Sequence, residues 1–127
     1  MSPDPKNNNT ISVVRPAVAF AANANINGID LRDYIGNVAV IFNVGQAWAG
    51  TSPTYDAYLR SGSSSDGTNA SNLNISLTQV ANTNSLQVLS VDTRTAGRYL
   101  NIVQTIGGSS SPNFAVGIQQ VGQKTST

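Results

Sequence analysis

Few side chains in this 127-residue chain could do chemistry, and the missing types exclude more than the present ones suggest. There is no histidine and no cysteine. Ser-His-Asp and Cys-His nucleophile systems are therefore absent, as are zinc sites built from imidazole or thiolate, and no disulfide can form. A Ser–Lys pair would have to use Lys6 or Lys124, both in polar termini. Asp30 and Asp33 are close in sequence, but glycosidase carboxylates flank a bound sugar across a cleft. Turn and capping roles account for these two better. Asp66-Gly67-Thr68-Asn69 offers oxygen ligands of the Ca²⁺-loop kind without the dense carboxylates such loops use. Asp92, Arg94 and Arg98 can make bidentate ion pairs that would clip the turn before the following strand. These residues predict no enzyme, no cofactor and no metal.

Composition narrows the partners. Charged residues make up 10% of the chain and the formal net charge is +1, so electrostatics gives little protection from self-association. That suits a subunit destined for assembly. The seven basic residues, Lys6, Arg15, Arg32, Arg60, Arg94, Arg98 and Lys124, are scattered, whereas nucleic-acid binding draws on clustered cations. No nucleic-acid partner is expected. The opening MSPDPKNNNT has no apolar signal segment and no apolar run approaches a membrane span, which predicts no membrane partner. Synthesis in the cytoplasm follows, with departure only as part of a particle.

The elements that would position these groups are strands. Residues 98–106 and 113–121 alternate apolar and polar positions around the polar turn Gly107-Gly108-Ser109-Ser110-Ser111-Pro112, which reads as a hairpin. Its first strand carries Leu100, Ile102 and Ile106 on one face and Tyr99 and Val103 on the other, as a central strand covered on both sides does. Residues 37–44 (NVAVIFNV) read as a second buried central strand. Residues 54–60 put Tyr55, Ala57 and Leu59 inward and Asp56, Tyr58 and Arg60 outward. Residues 73–79 alternate with Leu73, Ile75 and Leu77 on one face. Residues 86–91 set Leu89 and Val91 against Leu86 and Val88.

Residues 11–14 read as a short strand ended at Arg15-Pro16. Residues 17–24 (AVAFAANA) have the alanine content of a helix but are short for one, and Val18 and Phe20 fit the strand favoured by the all-β surroundings, before a turn at Asn27-Gly28. Residues 61–72 read as a long polar loop with no burial. The fold class expected is all-β, a jelly-roll-like two-sheet β-sandwich of about eight short strands. Residues 11–123 form the single domain, 1–10 a flexible N-terminal arm and 124–127 a polar tail. The arm, with Pro3, Pro5, Lys6 and Asn8, is either a frayed end or a segment that orders against a neighbouring subunit. Trp48, in the loop after the second central strand, and the outward Tyr58 are either ordinary core and rim or interface anchors.

Several blocks, taken in order, resemble a known family. Asn27-Gly28-Ile29-Asp30-Leu31, residues 38–45 (VAVIFNVG), Asp92-Thr93-Arg94, Arg98-Tyr99-Leu100 and residues 107–117 (GGSSSPNFAVG) through Gly122 are similar to small capsid decoration, or cement, proteins of tailed bacteriophages. The likeness covers residues 25–123 apart from the 61–72 loop. It implies a virion structural protein on the capsid surface, bound to the major capsid protein. Low charge and an all-β fold with at least one edge strand favour in addition a homo-oligomer, a dimer or trimer. In that family the site is a bridging surface with no short motif; Trp48, Tyr58, Lys6 and Asn8 are the candidate contacts here. A carbohydrate-binding sandwich using Trp48, Tyr55 or Tyr58 as a stacking platform is the competing reading, and a tail or fibre module a third.

Overall fold

The computed structural model describes residues 9–20, 24–32, 34–47 and 49–124. Its elements are β1 (Asn9–Phe20), β2 (Ala24–Asp30), β3 (Tyr34–Val44), β4 (Ala49–Gly62), β5 (Ser71–Ser76), β6 (Ser85–Asp92) and β7 (Tyr99–Lys124). The described residues contain no helix, and hence none long and apolar enough to cross a membrane.

All strand pairs are antiparallel, and β7 belongs to two layers. Its first half lies between β2 and β4, with β5 beyond β4, in the order β2-β7-β4-β5. Its second half lies between β1 and β3, with β6 beyond β3, in the order β1-β7-β3-β6. We call the first layer sheet B and the second sheet A. The fold is an all-β, jelly-roll-like sandwich. Seven strands suffice because β7 serves both sheets.

The hairpin expected at 107–112 does not form. Residues 107–113 continue β7 and stay paired with the first part of β4, Thr54 opposite Gly107, Thr51 opposite Ser109 and Ala49 opposite Asn113. Register shifts on either side of Thr51, with Gly108 at φ 108° and Ser110 at φ 61°, bend the strand from one sheet into the other instead of reversing it. Asn27-Gly28 is likewise a bulge inside β2: Gly28 has φ 78° and the register with β7 shifts between Ile26 and Ile29. Alternation was sufficient to locate strands, while a glycine-rich segment looks the same in a bend as in a turn.

The interior follows the predicted periods. Val38, Val40, Phe42 and Val44 of β3 are buried, as are Tyr55, Ala57 and Leu59 of β4 and Leu100 and Ile102 of β7. Phe114, Val116 and Ile118 close the core from the second half of β7. Tyr55 of sheet B and Phe114 of sheet A meet with ring centroids 6.0 Å apart and planes tilted by 54°. The Tyr55 hydroxyl donates to Oε1 of buried Gln104, and Gln120 Nε2 donates to the Tyr34 hydroxyl at 3.1 Å. These bonds let two glutamine side chains lie inside at the cost of only part of their hydrogen-bonding capacity.

Candidate interaction faces

The outward positions of the two sheets form two unlike surfaces. On sheet A, β6 presents Leu86 and Val88, which are 69% and 58% exposed, followed by exposed Ser90. Val88 stands opposite Ile41 of β3, Leu86 opposite Asn43 and Ser90 opposite Ala39. Beyond β3, Ile41 stands opposite Gln119 of β7, Asn43 opposite Gly117 and Ala39 opposite Val121. None of these nine residues is charged; charge begins at Asp92, where β6 ends.

Sheet B presents Asp56, Tyr58 and Arg60 of β4 and Tyr99, Asn101, Val103 and Thr105 of β7. Opposed pairs are Asp56–Thr105, Tyr58–Val103 and Arg60–Asn101. Part of this face is covered. Residues 63–70 fold over it, and Asn101 is fully buried although it is on the outward side of its strand. A Cβ at Gly67 would stand 2.7 Å from Asn101 Oδ1 and 3.0 Å from Asn27 Oδ1, so the loop backbone rests directly on those amides. The expectation of a loop without burial is thus corrected: short polar side chains let it approach closely, and a polarity pattern cannot register that. Asp66 Oδ1 accepts the Thr68 N–H at 3.0 Å, and this bond holds its carboxyl below the usual range. Asn69 Oδ1 accepts the Ser64 N–H and Asn69 Nδ2 donates to Ser63 Oγ. These oxygens shape the loop itself. Among the described residues no group of three or more acidic, His or Cys side chains could hold a metal ion.

The ion pairs lie at one end. Arg94 binds Asp92 in a fork, Nε to Oδ1 and Nη2 to Oδ2, both at 3.2 Å. Arg98 leaves that set and reaches Asp30 of β2 instead, Nη2 to Oδ2 at 3.2 Å, while lying 4.8 Å from the centroid of the Tyr99 ring. The Arg98 side chain, then the Arg32 N–H, hold the Asp30 carboxyl below its ordinary pKa. Asp30 caps its turn as expected, its Oδ1 accepting the Arg32 N–H at 2.9 Å; Asp33 lies outside the described residues. A cleft of about 230 Å³ beside these pairs is lined by Leu31, Arg32, Thr93, Ala96, Gly97 and Arg98.

Of the residues singled out in the sequence, Lys6, Asn8 and Trp48 lie outside the described residues. Tyr58 is half-buried on the outer face of sheet B, between Ser76 of β5 and Val103 of β7. Tyr55 is fully buried against Phe114, which removes it as a stacking platform for a sugar. The spacing of Leu86 and Val88 puts them together on one face. Their exposure does not follow from spacing, because it depends on β6 being an outermost strand.

No family model matches the chain, and no curated protein sequence does. Among solved structures it is similar to a pilus protein of Bacillus endospore appendages, described as a novel family of disulfide-linked pili. The two share 18% identity over 99% of this chain and 98% of that one, with a TM-score of 0.49. It is also similar to the structure of infectious bursal disease virus Gx strain, at 12% identity over 94% of this chain and with a TM-score of 0.48. The VP2 subviral particle of that virus gives 12% identity over 91% of this chain and a TM-score of 0.46. The chain spans 32% of the length of each of those viral chains. Neither virus structure nor the pilus is a phage decoration protein, and at these identities the likeness is one of chain layout.

Proposed function

We propose that the chain is a structural, non-enzymatic subunit of a protein assembly, and specifically a decoration subunit on the outside of a phage capsid. Its partners are the major capsid protein and further copies of itself, and it uses no cofactor. It is made in the host cytoplasm and resides on the virion surface. The observation that supports this most is the uncharged outer face of sheet A, where Leu86, Val88 and Ile41 lie on a regular sheet. Exposed apolar groups on a rigid face mark a contact surface more often than a reactive one. The sequence blocks that resemble decoration proteins agree with it; the VAVIFNVG block forms most of β3 and GGSSSPNFAVG lies within β7.

A subunit repeated over a lattice needs only modest affinity at each contact, because neighbouring contacts add. A ligand that binds only the intact shell stabilises it by mass action. Adding the purified protein to shells that lack it should therefore raise the temperature at which they rupture. Shells that neither bind the protein nor gain in rupture temperature at saturating concentrations overturn the capsid assignment.

A further inference from the structure

An outermost strand leaves one row of backbone N–H and C=O groups unpaired, and proteins that stay monomeric blunt such edges with bulges, prolines or charges. Among the described residues four strands have a sheet neighbour on one side only. Three of them are broken. β1 shifts register on both sides of Arg15, next to Pro16. β2 shifts between Ile26 and Ile29 at Gly28. β5 pairs through a shift between Leu59 and Arg60 and contains Asn74 at φ 60°. The remaining strand, β6, pairs with β3 without a shift from Ser85 opposite Val44 to Asp92 opposite Asn37. From Ser85 to Val91 it has no proline and no charge.

The direction of its free groups can be worked out. The Thr93 N–H donates to Gly36 O at 3.0 Å, continuing the β3–β6 register by one residue. Backbone groups alternate along a strand, so odd-numbered residues of β6 face β3 and Leu86, Val88 and Ser90 aim theirs at the free edge. The adjoining edge of sheet B is closed by a side chain instead. Gln87 Nε2 donates to Thr78 O at 2.9 Å and Gln87 Oε1 accepts the Thr78 N–H at 3.0 Å, as a neighbouring strand would.

We propose that β6 pairs antiparallel, edge to edge, with β6 of a second copy of this chain about a two-fold axis, joining the two A sheets into one. The register that sets Leu86 of each copy opposite Val88 of the other brings four apolar side chains together on the outer face. Charge selects the partner. A two-fold contact brings a surface against itself, so any charge on it meets a like charge nearby; the outer face of β6 has none before Asp92. This deepens the assembly reading above by naming a surface for self-association. It is tested on free protein without shells, so that either can fail alone.

Sedimentation of the full chain across a concentration series should show a monomer–dimer equilibrium. Val88→Lys sets a cation into the joined face and should raise Kd by roughly tenfold or more. Val88→Pro removes one N–H at the free edge while leaving every bond to β3, and should do the same. Thr105→Lys, on the outer face of sheet B, should leave Kd unchanged. Amide exchange at Leu86, Val88 and Ser90 should slow as concentration rises. A wild-type chain that stays monomeric at about 100 μM, a range where even weak pairs are populated, overturns the proposal. So does a dimer that both Val88 variants leave intact.

Discussion

Ahead of Asp92, the outward residues of β6, the outermost strand of sheet A, are Leu86, Val88 and Ser90, whereas those of β4, an inner strand of sheet B, include Asp56, Tyr58 and Arg60. Both strands alternate with period two and both send apolar side chains into the same core. They differ in what lies beyond them. β4 is flanked by β5 and β7, and residues 63–70 cover part of its sheet. β6 has β3 on one side and an open edge on the other. The charged, partly covered face is finished within one chain, while the uncharged face is left for something else to finish. Low net charge is therefore not a uniform property of this surface; it is concentrated where contact would be made.

The largest expected contrast separates the core from the bare face. Phe114→Ala removes the ring that meets Tyr55 across the sheets and should cost about 3–5 kcal/mol; Leu59→Ala should cost about 2–5 kcal/mol. Leu86→Ala takes the same side chain from the outer face of β6 and should change monomer stability by less than about 0.5 kcal/mol. Chemical denaturation at concentrations low enough to keep the chain monomeric reads all three. A Leu86→Ala loss comparable to that of Leu59→Ala would mean that the face is already covered within one chain.

A middle-sized effect tests whether sheet B is closed by its loop. Gly67 has φ 78°, and a Cβ there would press on Asn101 Oδ1. Gly67→Ala should cost about 1–3 kcal/mol, the usual range for a side chain forced into this backbone region. Amide exchange of residues 63–70 and of β5 should rise, with β3 and β6 unaffected. Faster exchange across both sheets would show that the loop supports the whole sandwich instead of one face.

These contrasts also mark how far the sequence could be read. Alternation located Val38, Val40, Phe42, Tyr55 and Leu59 in the core because a buried face must be apolar at every second residue. The same rule put Leu86 and Val88 together without saying whether their face met solvent, since that is decided by strand order, a property of pairings far apart in the chain. The sequence of β7 reads as a hairpin for a related reason. Its glycine-rich middle satisfies the chemistry of a tight turn, and only its pairing with residues 49–54 shows that it bends into the other sheet without reversing. Asn101 could not be found from pattern, because it is on the outward side of β7 and buried only by the loop above it. Gln104 and Gln120 stand at inward positions of the alternation, but their polarity hides them until the Tyr55 and Tyr34 hydroxyls that partner them are known.

The smallest effect concerns charge, which lies outside the bare face. Asp30→Asn removes the pair with Arg98 that ties β2 to the head of β7, while the amide oxygen can still accept the Arg32 N–H. Both partners are partly exposed, so screening limits the loss to about 0.2–1 kcal/mol. Its pH dependence has a definite sign. Arg98 holds the folded-state pKa of Asp30 below its unfolded value of about 3.9. The contribution is therefore present above that unfolded value and is lost as pH falls through the lowered folded one. Melting curves of the two proteins should differ by the same amount at pH 7 and pH 5 and converge only in strong acid. High salt at pH 7 should narrow the gap as well, because it screens an exposed pair. A gap that closes between pH 8 and pH 6 would require another titrating group, and one that persists in strong acid would trace the loss to packing instead of charge.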